Sequence, residues 1–214
     1  PVWALSSTPS GRYGIDDEIA ALASMGIIVT AAAGNNFARF GSNLGLAYPA
    51  TDPNTIAVGA VVSDSDQIAD FSQRHPELLD IFAPGVPVIG ADANGGTKSL
   101  GGTSQAAPYI AGIAVLAQQL AVESLGRKLT VSEFESLLTT TGVIVNDGDD
   151  EQDAVANTGL NFSRVDMVAL AEAIINFSGT APTTITGGVN TVNSDSPLYL
   201  PGDTLPVAYT VTVT

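Results

Sequence analysis

"GGTSQAAPYIAG", residues 101–112, sets Ser104 between a glycine-rich turn and an apolar run. The run predicts a long helix over about Ser104 to Leu120. Pro108 is expected in its first turn, where backbone N–H groups lack intrahelical partners. A serine heading a helix has two readings. It is an N-cap, common after a Gly-Gly turn, or it is a nucleophile whose own N–H is an orphan donor of the helix start. A serine that attacks a carbonyl needs such donors, because the tetrahedral intermediate carries an oxyanion. Gly101 and Gly102 leave room for a substrate backbone, and the small Ala106 and Ala107 keep the floor open.

Working outward from that stretch, strand and helix signals alternate. "VWALSS" (2–7) reads as a short buried strand. Ile15, Ile19, Leu22 and Ala23 then share one face of a helix, with Asp16, Asp17 and Glu18 at the positive end of its dipole and Gly26 placed to stop it. "IIVTAAAGN" (27–35) and "TIAVGAVV" (55–62) are near-continuous apolar runs of strand length. "LLDIFAPG" (78–85) and "VPVIGA" (86–91) are shorter candidates. Strands buried on both faces and alternating with helices predict a three-layer α/β fold with a mainly parallel sheet. Beyond the long helix, Thr130 and Glu133 form a capping box, with Leu129 and Phe134 as its hydrophobic staple. A last helix is expected at about 165–176, after the acidic loop "NDGDDEQD" (146–153). Past Phe177 the Gly/Thr/Ser/Asn-rich stretch 178–196 reads as a linker. Residues 197–214, with the alternating "LPVAYTVTVT" (205–214), read as the beginning of a truncated β-module, since one edge strand is not a domain.

Composition narrows the function classes. The chain has 214 residues, 45% of them hydrophobic, enough for one sizeable domain with an appendage. No apolar stretch approaches the roughly 20 residues that span a bilayer. No signal peptide is visible, and Pro1 is not a natural start, so upstream sequence is expected. Cysteine is absent, which excludes disulfides, a thiol nucleophile and thiolate metal sites. The net charge of −15 argues against binding nucleic acid or anionic lipid.

"GTSQAAPYIAG" (102–112) resembles the serine-nucleophile signature of subtilisin-like proteases, G-T-S-x-A-[AS]-P-x-[VI]-A-G, and matches it at every specified position. Upstream, "TAAAGNN" (30–36) resembles that family's oxyanion-hole segment, with Asn35 at the functional position. "YPA" (48–50), "TIAVGAV" (55–61) and "FAPG" (82–85) resemble its connecting strands and loops. The resemblance covers roughly residues 2–177, the C-terminal portion of a catalytic domain. It implies that Ser104 attacks the scissile peptide carbonyl and that the Asn35 amide and Ser104 N–H hold the oxyanion, with Thr103 supporting the turn. It implies further that Ala32, Ala33 and Gly34 wall the pocket for the residue before the cleaved bond. Ser6, Ser7 and Thr8 resemble the segment that pairs with an extended substrate as an added strand. Three positions depart from the family. Thr8 replaces a glycine and narrows the adjacent subsite, Gln105 stands where methionine is common, and Tyr109 stands where histidine is frequent.

The base is missing. The family places its aspartate in D-[ST]-G and its histidine in H-G-T, upstream of the oxyanion segment, and neither occurs here. The lone histidine, His75 in "QRHPEL", sits on what resembles a surface loop of the relatives and is expected to be a solvated loop residue. Without imidazole to take its proton, serine is a weak nucleophile at neutral pH. The chain alone is therefore expected to hydrolyse peptides poorly, with base and acid supplied by an upstream part of the same domain. The chemistry requires no cofactor. Structural calcium is open: carbonyls near Ala50, Asp52 and Thr55 align with a variable cation site of the family. Asp147, Asp149, Asp150 and Asp153 offer oxygens, but without the spacing of an EF-hand loop, so an acidic surface loop is expected. The resemblance also implies an extracellular or cell-surface location. Two other readings stay open: a non-catalytic peptide-binding pseudoprotease, and a surface scaffold whose β-module carries the function.

Overall fold

The computed structural model describes residues 14–148 and 155–177. The expected strand at 2–7, the linker, the β-module and Asp149, Asp150 and Asp153 lie outside them. The chain divides into two units, Pro1–Phe177 and Ser178–Thr214, and all described residues belong to the first. Its elements are α1 (Asp16–Ser24), β1 (Thr30–Ala32), β2 (Ile56–Val62), β3 (Ile81–Val86), β4 (Val88–Ala91) and β5 (Thr97–Leu100). There follow α2 (Thr103–Leu125), α3 (Val131–Thr140), β6 (Val143–Asn146), β7 (Asn161–Arg164) and α4 (Met167–Ile175).

Five strands form one sheet in the order β1-β2-β3-β7-β6. It is parallel from β1 through β7, and β6 closes it antiparallel to β7. β4 and β5 form a separate antiparallel hairpin. The α/β class with a mainly parallel sheet is as expected. Alternation along β2 and β3 assigns the faces. Ile56, Val58 and Ala60 with Ile81 and Ala83 turn toward α2, α3 and α4. Ala57 packs the other way with Leu46 and Ala50, and Val61 and Phe82 pack with Ile68, Val145 and Phe162. Both faces being covered, these strands read as continuous apolar runs.

α2 is the central helix. Its buried stripe, Ala106, Ile110, Ile113, Ala117 and Ala121, lies against β1, β2 and β3, and alanines allow close approach to the sheet. By length and composition alone this helix is long and apolar enough to cross a membrane. Packed as it is, it behaves as a core helix. It also starts earlier and ends later than expected, stopping at Gly126 in the left-handed conformation (φ 72°). Pro108 consequently falls in the second turn, where its missing N–H deprives the Ser104 carbonyl of its helical partner.

The capping box is formed as read. Thr130 Oγ1 accepts from Glu133 N–H at 3.2 Å, and Glu133 Oε2 accepts from Thr130 N–H at 2.8 Å. Leu129 and Phe134 are buried beside it, as a staple requires. α1 differs, because only Ile19 of its apolar face is buried while Ile15 is 45% exposed.

At the foot of β3, Asp80 clamps β2. Its N–H donates to Ala57 O at 3.2 Å, and its Oδ2 accepts from Ala57 N–H at 2.6 Å. Burial pushes its pKa up to about 7, Glu135 adds to the rise, and the Ala57 hydrogen bond opposes it. The folded state therefore holds a proton that the unfolded chain releases in the ordinary carboxylate range. This contribution to stability is present below that range, falls as pH rises toward 7, and then levels off. Asp80→Asn removes the titration while keeping an acceptor for Ala57. Urea midpoints of wild type should fall between pH 4 and 7 relative to those of the variant, and parallel curves would rule out a raised Asp80.

Candidate active site

The site lies where β1 runs out and α2 begins. Ala33 N–H still donates to Val58 O at 2.9 Å, and Gly34 then turns with φ 114°, a conformation side chains resist. Asn35 follows, exposed. Its Oδ1 accepts two bonds from Thr103, from N–H at 2.8 Å and from Oγ1–H at 2.9 Å. Thr103 Oγ1 in turn accepts from Gly34 N–H at 3.1 Å. Thr103 is fully buried, so this ring of three bonds locks the carboxyl end of β1 to the first turn of α2.

With its oxygen committed to Thr103, the Asn35 amide presents Nδ2 on the other side. A methyl group placed on Gly102 would stand 3.2 Å from Asn35 Nδ2 and 3.6 Å from Ser104 N. Two nitrogens that can donate thus lie within 3.6 Å of one point beside Gly102. The same point is 3.0 Å from Gln105 Oε1, so Gln105 borders the space as well. Ser104 is exposed, and its side chain makes no hydrogen bond to another described residue. It stands in the first turn of a long helix, where unpaired N–H groups and the positive dipole end favour developing negative charge.

The two glycines before Thr103 divide their work differently from the sequence reading. A side chain on Gly101 would meet Val86 Cγ2 at 2.6 Å, so this glycine seats the turn on β3. Gly102 N–H donates to Gly85 O at 3.0 Å, and only Gly102 faces the donor-lined space. Of the expected pocket wall, Ala33 is fully buried, packed with Ala31, Leu46, Ala50 and Ala57, while Ala32 and Gly34 keep partial exposure. Ser6, Ser7 and Thr8 lie outside the described residues.

His75 is not joined to Ser104. Its Nδ1 accepts from Glu77 N–H at 3.2 Å, a bond within its own turn. The stretch before it is not the surface loop expected, because Gln73 and Arg74 are fully buried. Asp147 likewise leaves the expected acidic surface. It is 1% exposed, pairs with Arg74 through Oδ1, and accepts from Thr158 N–H and Oγ1–H through Oδ2. Both carboxylate oxygens are thereby engaged, which does not fit a cation ligand. At the other candidate position, Asp52 Oδ1 accepts from Asn54 N–H at 2.8 Å, and Thr55 Oγ1–H donates to Asp52 O at 3.0 Å. Among the described residues, no three His, Asp or Glu side chains cluster as a metal site would need.

The structure is thus an α/β protein in which the first turn of α2, with Ser104, is tied to Asn35 at the carboxyl edge of a mainly parallel sheet. The subtilase family model matches residues 2–164, and the chain belongs to that family. It is 41% identical to subtilisin amylosacchariticus of Bacillus subtilis subsp. amylosacchariticus over 124 residues, covering 53% of this chain and 32% of that protein. Against subtilisin DY of Bacillus licheniformis the identity is 36% over 139 residues, covering 65% and 48%. Among solved structures it is similar to the prenylagaramide maturation protease PagA, with TM-score 0.64 and 25% identity over 79% of this chain and 58% of that one. The chain therefore spans from 32% to about half of the length of these curated relatives.

Proposed function

We propose that this chain is the nucleophile-bearing portion of a secreted serine endopeptidase. Ser104 Oγ attacks the scissile carbonyl carbon, and its proton passes to a histidine supplied by an upstream part of the same domain, itself oriented by an aspartate. The C–O bond of an acyl-enzyme forms, the C–N bond breaks, and the leaving amine takes the proton. Water then releases the acid and restores the serine. Asn35 Nδ2–H and Ser104 N–H hold the oxyanion. An extended polypeptide lies along 6–8 with its side chain against the 32–34 wall, and no cofactor enters the chemistry. One observation carries this reading: Thr103 occupies the amide oxygen of Asn35, so the Asn35 nitrogen and Ser104 N lie together beside Gly102 as a pair able to donate.

The test is a fluorophosphonate probe, which phosphonylates an activated serine oxygen with loss of fluoride. The longest natural chain containing this sequence should carry an adduct located to Ser104 by mass spectrometry. The 214 residues alone should carry little or none. A folded long chain without an adduct would overturn the catalytic reading and favour a peptide-binding pseudoprotease.

A further inference from the structure

Gln73 and Arg74 send their backbone groups to the loop that carries Asn35. Gln73 N–H donates to Gly34 O at 2.9 Å, and Arg74 O accepts from Gly45 N–H at 2.9 Å. Just before them, Phe71 O accepts from Phe37 N–H at 3.1 Å. The Arg74 side chain goes elsewhere. Nε donates to Ser72 O and a terminal nitrogen to Ala69 O, each at 3.1 Å, while the other terminal nitrogen pairs with Asp147. The guanidinium carbon lies 4.0 Å from the centre of the Phe37 ring. Asp147 is itself held by Thr158, at 2.6 Å from the hydroxyl. One buried cation thus ties three segments: the Asn35 loop through Phe37, the 69–72 turn, and the end of β6.

Stability alone is a poor reason for such a pair. Desolvation offsets most of the attraction, and apolar side chains of similar volume often serve as well. What the planar guanidinium fork supplies is direction. Here the directed element is the oxyanion loop. Gly34 immediately precedes Asn35, and Gln73 meets it twice. Its carbonyl accepts from Gln73 N–H, and a methyl on its Cα would stand only 2.0 Å from Gln73 Oε1. A shift of Arg74 reaches Gly34 through one peptide unit and one hydrogen bond.

We propose that the buried Arg74–Asp147 pair is a positioning device for the oxyanion donor Asn35, an inference that rests on the protease reading. Misplacing a reacting group by about 1 Å costs on the order of 10²-fold in rate.

The experiment uses the longest natural chain that contains this sequence, with Arg74→Lys, Asp147→Asn and the apolar double Arg74→Met/Asp147→Leu. For each variant kcat, KM, urea midpoint and the Asn35 side-chain amide resonance are measured. The expected result is kcat down by at least about tenfold, with KM little changed and the amide resonance displaced. The double variant also deprives Thr158 N–H, Ser72 O and Ala69 O of partners, so its urea midpoint should fall, and its kcat is read on the folded protein. Wild-type kcat and an unmoved resonance in any folded variant would overturn the proposal. Should the double fail to fold, the two conservative single variants are read the same way. A folded wild type that the fluorophosphonate leaves unlabelled marks failure of the protease reading instead, and the amide resonance still decides whether the pair positions Asn35.

Discussion

Ser104→Ala in the long natural chain is expected to remove turnover of a chromogenic peptide by about 10⁶-fold while leaving the urea midpoint unchanged. The rate figure is the one established for this nucleophile in a subtilisin, a member of the same family, and is borrowed from it. The stability half follows from the structure. Ser104 is exposed, bonds to no other described side chain or carbonyl, and sits where alanine is a good helix former. Surface changes of that kind stay within about 0.5 kcal/mol. Both donors beside Gly102 survive the substitution, since one is the backbone N–H of residue 104 itself. What remains is only the acceleration that binding and an intact oxyanion hole provide over water. Activity within tenfold of wild type would mean that another group is the nucleophile. A large fall in urea midpoint would mean that Ser104 holds the turn rather than reacting.

The parts legible in the sequence were those with local causes. β2 could be read because burial on both faces makes "IAVGAVV" apolar throughout, and α3 because its capping box occupies four consecutive residues. The turn that carries Ser104 was legible for the same reason, since helix start, serine and glycines are neighbours. Short strands without a buried apolar run were missed. β5, "TKSL", is exposed at every position and owes its existence to β4, while β6 and β7 are four residues each. The run "VIV" before Asn146 carried a strand signal that could have exposed β6. Arg74 and Asp147 were hidden more deeply. A charge beside His75 and another in an acidic run look solvated, and only the fold brings together two residues 73 apart in the chain. The glycines show a subtler limit. Their smallness was evident, but that Gly101 yields to Val86 while Gly102 lies against Asn35 Nδ2 and Gln105 Oε1 depends on where β3 lies.

Asn35 offers the second large effect and separates its two jobs. Asn35→Asp keeps an oxygen for Thr103 N–H and Oγ1–H but exchanges the outward N–H for a carboxylate oxygen. Asn35→Leu removes both. A donor used only when charge develops stabilises the transition state and not the bound substrate, so kcat should fall with KM nearly unchanged. For loss of this donor a fall of about 10²–10³ in kcat is expected, again the value established for the same asparagine in a subtilisin. The Asp variant should fall further, because a fixed negative charge faces the oxyanion, yet its urea midpoint should stay near wild type. The Leu variant leaves Thr103 N–H, in a fully buried residue, without its acceptor, which costs about 1–3 kcal/mol. Equal kcat losses with a stability loss confined to Leu would place catalysis in Nδ2 and anchoring in Oδ1, with no penalty from the added charge. Unchanged kcat in a folded Asp variant would remove Asn35 from the chemistry altogether and leave Ser104 N–H as the sole donor of the pair.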